Sequence, residues 1–164
     1  MKNRQSGLAT VEFAIIGMLF FIVLFAVIEF GRLLFTWNTL TEATRRGARV
    51  AAVCPVNHPA IARITVFNRP GGGGSPVLPN LAPGDVAVQY LGDNGNDLGN
   101  APSFSNIAYV SVGISGNSDG VPGYQHQMLI PLLAMTLTSP WFQTTLPRES
   151  LGQVPGTIEQ CPFS

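Results

Sequence analysis

Charge is scarce in this chain. Nine Lys+Arg stand against nine Asp+Glu in 164 residues, and only 11% of residues are charged, less than half the share usual in soluble domains. With a net charge of zero, a nucleic-acid binder driven by bulk positive charge is disfavoured, so nucleic acid is not an expected partner. Cysteine is down to two residues, Cys54 and Cys161. Neither has a CxxC context or clustered histidines, which leaves a zinc site almost without support. His58 and His126 are isolated and read as ordinary surface or partly buried residues rather than ligands. There is no HExxH frame, no G-x-S-x-G elbow and no recognisable catalytic carboxylate pair. A chain so poor in titratable groups is a weak candidate for acid–base chemistry. The expectation is a protein that is not an enzyme and needs no cofactor or metal.

What is abundant is segregated. Gly (18) and Pro (13) approach a fifth of the chain while 46% is apolar and mean hydropathy is positive at +0.27, an odd mixture for one uniform globule. The length suits one compact domain with attachments. The apolar share concentrates in Phe13 to Ile28, FAIIGMLFFIVLFAVI, and between Leu8 and Phe35 the only charges are Glu12, Glu29 and Arg32. Sixteen helical residues rise roughly 24 Å, so a hydrocarbon core of about 30 Å needs the flanks as well. Leu8 to Val11 serve on one side and Phe30, Leu33, Leu34, Phe35 and Trp37 on the other, with the Trp37 ring suited to the interface. A cleaved secretory signal fits less well, because the run exceeds an ordinary h-region and no small-residue cleavage site follows promptly. A buried soluble helix fits worse, since the remaining chain is too Gly/Pro-rich to cover every face.

Lys2, Arg4 and the initiating amine favour a cytoplasmic N-terminus, although Arg32, Arg45, Arg46 and Arg49 on the other side weaken that count. If the polar region is exported, Cys54 and Cys161 can close one intrachain bridge. It would contribute on the order of 4 to 5 kcal/mol in the chain-entropy model. Two reduced thiols are the alternative. Glu29 and Arg32, three residues apart, can meet on one helix face. They form either a pair within the helix, snorkelling towards water, or a contact between subunits.

After the span, TWNTLTEATRRGARVAAVC has no proline until Pro55, and Leu40, Ala43, Gly47, Val50 and Ala51 share a face, so the helix is predicted to continue to about Val53. It becomes a stalk with Arg45, Arg46 and Arg49 on its polar side, facing solvent, anionic lipid or a partner's carboxylates. Asn57 to Phe67 reads as a short helix with Pro59 in its first turn. Four glycines from Gly71 lack any phosphate-loop frame and read as a loop. Asp85 to Leu91 and Ile107 to Ile114 read as antiparallel neighbours. The turn between them carries Asp93, Asn94, Asn96 and Asp97, without the EF-hand pattern that calcium would need. Further on, Tyr124 to Ile130 is predicted as a third strand, Pro131 to Thr138 as a short helix or apolar loop, and Gln143 to Leu151 as a strand or edge interrupted by Pro147. The fold class is α+β: a long N-terminal transmembrane helix continuing as a stalk, followed by a small antiparallel sheet packed on its upper part.

The most specific signal precedes the span. Arg4 to Ile15 reads RQSGLATVEFAI, a short basic leader ending in Gly7, then a hydrophobic helix with one early acid. This resembles the class III signal of type IV pilins and pseudopilins, in which a prepilin peptidase cuts after glycine and a glutamate is the fifth mature residue. Gly7, Leu8 and Glu12 match that spacing. The continuation, with its VEFA start, IEFGR exit and GAR segment, looks like the TadE-like domain of tight-adherence pilus systems, over Arg4 to Val53. The resemblance implies a leader at 1–7, a transmembrane and stalk helix at 8–53, and an exported α+β domain at 54–164. It further implies a pilin-like plan, cleavage between Gly7 and Leu8, a register role for Glu12, and as partners the membrane, prepilin peptidase and other pilus subunits. The location it implies is the bacterial inner membrane, with the C-terminal domain periplasmic and the processed chain in some cases within a pilus. An uncleaved single-pass anchor carrying a periplasmic binding or scaffold domain is the alternative.

Overall fold

The structure, a computed structural model, describes residues 6–68, 74–100, 102–114, 123–129, 136–153 and 161. One helix, α1 (Ser6–Val53), accounts for 48 of them, about 72 Å of length. Its lower half carries exposed apolar side chains on every side, Phe13, Leu19, Phe21 and Phe25 among them. An 18-residue window there has a mean hydropathy of 2.8 and none of it is covered by the rest of the chain. A helix suits such a segment because all backbone polar groups are satisfied within it, which hydrocarbon surroundings demand. The helix stops where Pro55 approaches, with the Cys54 N–H donating to the Val50 carbonyl at 2.8 Å.

Above Phe35 the helix becomes one-sided: Leu40, Ala43, Ala48, Val50 and Ala51 are buried, while Glu42, Arg45, Arg46 and Arg49 stay exposed. The covering elements are α2 (Pro59–Thr65), β1 (Val86–Leu91), β2 (Tyr109–Ile114), β3 (Gln125–Gln127), β4 (Thr136–Thr138) and β5 (Phe142–Pro147). β1, β2 and β5 form an antiparallel sheet in that order, with Val112 opposite Val88 on one side and Thr144 on the other. Strand alternation sends Val88, Tyr90, Val110, Val112 and Leu146 into the core with Ala48, Val50 and Ala51 of α1. On the opposite face Ser111 Oγ accepts from Gln143 and Thr145. A second cluster, lower on the helix, gathers Leu40, Ala43, Leu78, Leu81, Ile114 and Tyr124.

Gly47 lets these layers meet. A Cβ there would lie 2.2 Å from Thr65 Oγ1 and 2.8 Å from Val112 Cγ1, so α2 and β2 approach the helix at a distance no other residue allows. The top of α1 is held by the chain after β5. Glu149 N and Leu151 N both donate to the Ala52 carbonyl, and Gly152 N donates to Val53 at 2.6 Å, which satisfies carbonyls that a helix end otherwise leaves open. Cys54 and Cys161, 107 residues apart, are disulfide-bonded and buried. α2 begins with Pro59, and the His58 imidazole accepts from Ala60 N.

The last third departs from the sequence reading. β3 does not extend the main sheet but pairs with β4 in a separate two-stranded sheet. Thr136–Thr138 is a strand, where a short helix or apolar loop is expected from sequence; the segment 131–135 lies outside the described residues. The final strand, expected over Gln143 to Leu151 as a strand or edge, starts at Phe142, ends at Pro147 and takes the edge beside β2, a strand order that the sequence leaves open. The reason is the helix: β2 and β5 both pack on α1, and apolar cover, not chain order, sets the neighbours.

Candidate functional site

The apolar run ends at Ile28, and the next residue is a carboxylate that solvent barely reaches. Glu29, Arg32 and Thr36 lie at i, i+3 and i+7, on one face of α1. Arg32 Nη1 donates to Glu29 Oε1 at 2.9 Å and to Oε2 at 3.1 Å. From the other end of the chain, β3 brings His126 to the same carboxylate, with Nε2 3.2 Å from Oε1. The Leu129 backbone N–H donates to Oε2 at 3.2 Å. Glu29 is 7% exposed and His126 4%. One buried carboxylate thus gathers a guanidinium, an imidazole and a backbone amide, which is what a buried charge needs to be tolerated.

Thr36 closes the network. Its hydroxyl lies 3.0 Å from the Arg32 carbonyl and 3.3 Å from His126 Nδ1. A hydroxyl has one proton to give. When it goes to the Arg32 carbonyl, the hydroxyl oxygen is left facing Nδ1 as an acceptor. Tyr124, just before β3, donates its hydroxyl to the Pro79 carbonyl at 2.9 Å. Burial raises its phenol above the ordinary value, and the positive charge of Arg32 opposes this. The β3–β4 hairpin is therefore tied both to the helix and to the 74–82 segment.

Two clefts flank His126. One, about 290 Å³, lies between Arg32, Phe35, Thr36, Val77, Tyr124 and Leu129. The other, about 250 Å³, is almost wholly apolar and runs between Ala26, Phe30 and Leu33 of the helix and Met128 and Leu137 of the hairpin. Among the described residues no group of three His, Cys, Asp or Glu side chains assembles a metal site, and Arg32 occupies the place a cation would take on Glu29. Thr36, His126 and Glu29 are bonded in series, and together with Leu129 N they fasten the hairpin to the helix.

The other residues singled out from sequence fall elsewhere. Gly7, Leu8 and Glu12 are on the exposed first turns of α1, far below the sheet, and a Cβ at Gly7 would meet no atom within 4 Å. Arg45 and Arg49 are exposed on the stalk, and Arg46 lies over the Phe67 ring at 5.0 Å. Asp97 accepts from Gly99 N, and Gly95 takes a positive φ of 72°, so the acidic segment is a turn held by its own backbone. His126 differs from the sequence reading, which leaves it isolated. Its signal was the Gln125-His126-Gln127 alternation, which in a strand turns the imidazole inward and both amides outward.

These features define a class: a long apolar helix, bare below and clad above by a small α+β head, with a polar fastening where the two halves meet. Residues 7–49 match the family described as TadE-like protein, a stretch confined to α1 and about a quarter of the chain. No curated protein and no solved structure matches the chain.

Proposed function

We propose that this chain is a TadE-like minor pilin or pseudopilin of a tight-adherence (type IVb) pilus, anchored in the bacterial inner membrane with its α+β head in the periplasm. The observation that carries the reading is the coincidence of the TadE-like match over 7–49 with the RQSG/LATVEFAI junction at the foot of a bare apolar helix. Prepilin peptidase removes residues 1–7 in this scheme and leaves a new amine on Leu8. Its work is assembly rather than catalysis. Apolar helices pack side by side, helped by the small residues Ala9, Ala14, Gly17 and Ala26. Glu12, costly at the margin of hydrocarbon without a partner, sets axial register against the Leu8 amine of its own or an adjacent subunit. The head then meets other pilus components.

Mass spectrometry of the chain from cells holding the matching prepilin peptidase tests the scheme. A mature terminus at Leu8 is expected, and an intact terminus through Gly7 refutes processing and favours an uncleaved anchor. Glu12→Gln should still insert but enter assemblies poorly, and unchanged incorporation would remove the register role.

A further inference from the structure

The hydrogen bond from Leu129 N to Glu29 fixes the depth of a side chain as well as its partner. Leu129 is 68% exposed, yet its backbone is bound to the residue that directly follows the apolar run of α1. An apolar side chain is thereby held at the level where the helix leaves hydrocarbon. Two more apolar groups rim the same cleft: Phe35, 58% exposed on the helix, and Val77, 43% exposed in the segment before β1. Between Glu29 and Phe35 the helix rises about 9 Å, comparable with the roughly 5 to 8 Å of interfacial layer on each side of a bilayer.

We propose that this collar of Phe35, Val77 and Leu129 is a second membrane-contacting surface, through which the head rests in the interfacial layer of the bilayer that α1 crosses. The occupant is lipid because the collar is continuous with lipid-facing helix: Phe30 and Leu34 are exposed on α1 just below it, and the apolar cleft of Ala26, Leu33 and Met128 opens at the same level. Its polar complement is also at hand. Arg32, partly exposed, has an apolar stem and a cationic head that suit the phosphate layer. Glu29 and His126 act as positioning residues, locking the hairpin so that Leu129 points to lipid rather than water. The head is then seated against the bilayer as well as against α1. This inference rests on the membrane-spanning reading of α1 but not on pilus assembly.

The test uses the full-length chain in phosphatidylethanolamine/phosphatidylglycerol vesicles, with the Cys54–Cys161 bridge kept oxidised. Single cysteines at Phe20→Cys, Val77→Cys, Leu129→Cys and Ser105→Cys carry an environment-sensitive fluorophore, and lipids brominated near the headgroup or at mid-chain act as quenchers. Expected are mid-chain quenching at position 20, headgroup-side quenching at 77 and 129, and none at 105, which lies near the top of α1. Positions 77 and 129 unquenched while 20 is quenched would overturn the collar and leave the span intact. Position 20 unquenched would overturn the span, and the collar with it. A fluorophore at 129 that is shielded from water but unquenched by lipid, and that self-quenches as protein density rises, would assign the surface to a second copy and overturn the proposal. Adding Glu29→Ala should reduce quenching at 129 and not at 20; no loss at 129 would refute the depth-setting role of Glu29.

Discussion

Replacing Glu29 by alanine should undock the β3–β4 hairpin while leaving the main sheet in place. The carboxylate receives two bonds from distant chain, His126 Nε2 and Leu129 N, each at 3.2 Å, and two local ones from Arg32 Nη1. Hydrogen bonds to a charged group contribute about 1.5 to 3 kcal/mol each, and breaking a buried pair costs about 3 to 5 kcal/mol. The Arg32 arm is 38% exposed and adds at most about 1 kcal/mol. A local loss of about 3 to 4 kcal/mol follows, since the two distant bonds are not additive. At about 1.4 kcal/mol per tenfold, hairpin opening becomes roughly 10²- to 10³-fold more frequent. A two-stranded ribbon of three residue pairs is not stable alone, so its amides exchange once it leaves the helix. Hydrogen exchange of Gln125–Gln127 and Thr136–Thr138, in the full chain in micelles at fixed pH, reads the change. Val110 and Val112 in β2 should exchange as before. Glu29→Gln keeps an acceptor without the charge and should fall between the two. Hairpin exchange unchanged by the alanine variant, or accelerated equally in β2, would refute the assignment of Glu29 as the fastening.

Gly47→Ala gains about 1 kcal/mol in helix propensity, but its methyl meets Thr65 and Val112, and overpacking costs about 1 to 3 kcal/mol. Denaturant titration should show a net loss, largely recovered in Gly47→Ala/Thr65→Ala; a stabilised single variant would contradict the close approach. Cys161→Ser opens a loop of 107 residues and should lower stability by about 4 to 5 kcal/mol, seen as a fall in thermal midpoint that wild type shows only under reductant. Burial raises the phenols of Tyr90 and Tyr124 above 10.0, which favours their neutral form in the fold. Their contribution is complete below the unfolded value and is lost as pH climbs through the folded one. Absorbance at 295 nm should therefore report ionisation at higher pH in native than in guanidinium-unfolded chain, and coincident curves would refute the burial.

α1 is legible from composition, because sixteen uncharged apolar residues followed by a face of Leu40, Ala43, Gly47, Val50 and Ala51 carry both halves of the helix. β1 and β2 announce themselves by alternation between turn residues. The end of the chain does not. Thr136–Thr138 is three residues inside a mostly apolar stretch, too short for any period to register. The place of β5 beside β2 is decided by which strands α1 covers. The fastening was half visible. The spacing of Glu29 and Arg32 is local and therefore readable, whereas His126 is 97 positions from Glu29, and nothing in a strand's own sequence names a partner that distant.

The two acids of the apolar helix meet the same physical problem and are answered differently. Glu12 and Glu29 are 17 residues apart, about 26 Å along the helix, so they mark the two margins of a core of about 30 Å. A carboxylate at either margin needs donors, since an acid at mid-membrane costs about 2.5 to 3.5 kcal/mol even by insertion scales. At the upper margin the chain supplies them itself: Arg32, His126 and Leu129 N fill both oxygens of Glu29. That carboxylate is consequently occupied, and a contact between subunits through Glu29 would first have to dislodge the hairpin. At the lower margin Glu12 is exposed on bare helix, below everything the described head covers. In the proposed scheme its donor arrives at the foot of the helix, from an amine created at Leu8 or from another chain. The internally satisfied acid is thus the fastening, while Glu12 meets no donor from the described head, which is why the proposed reading gives it the assembly contact.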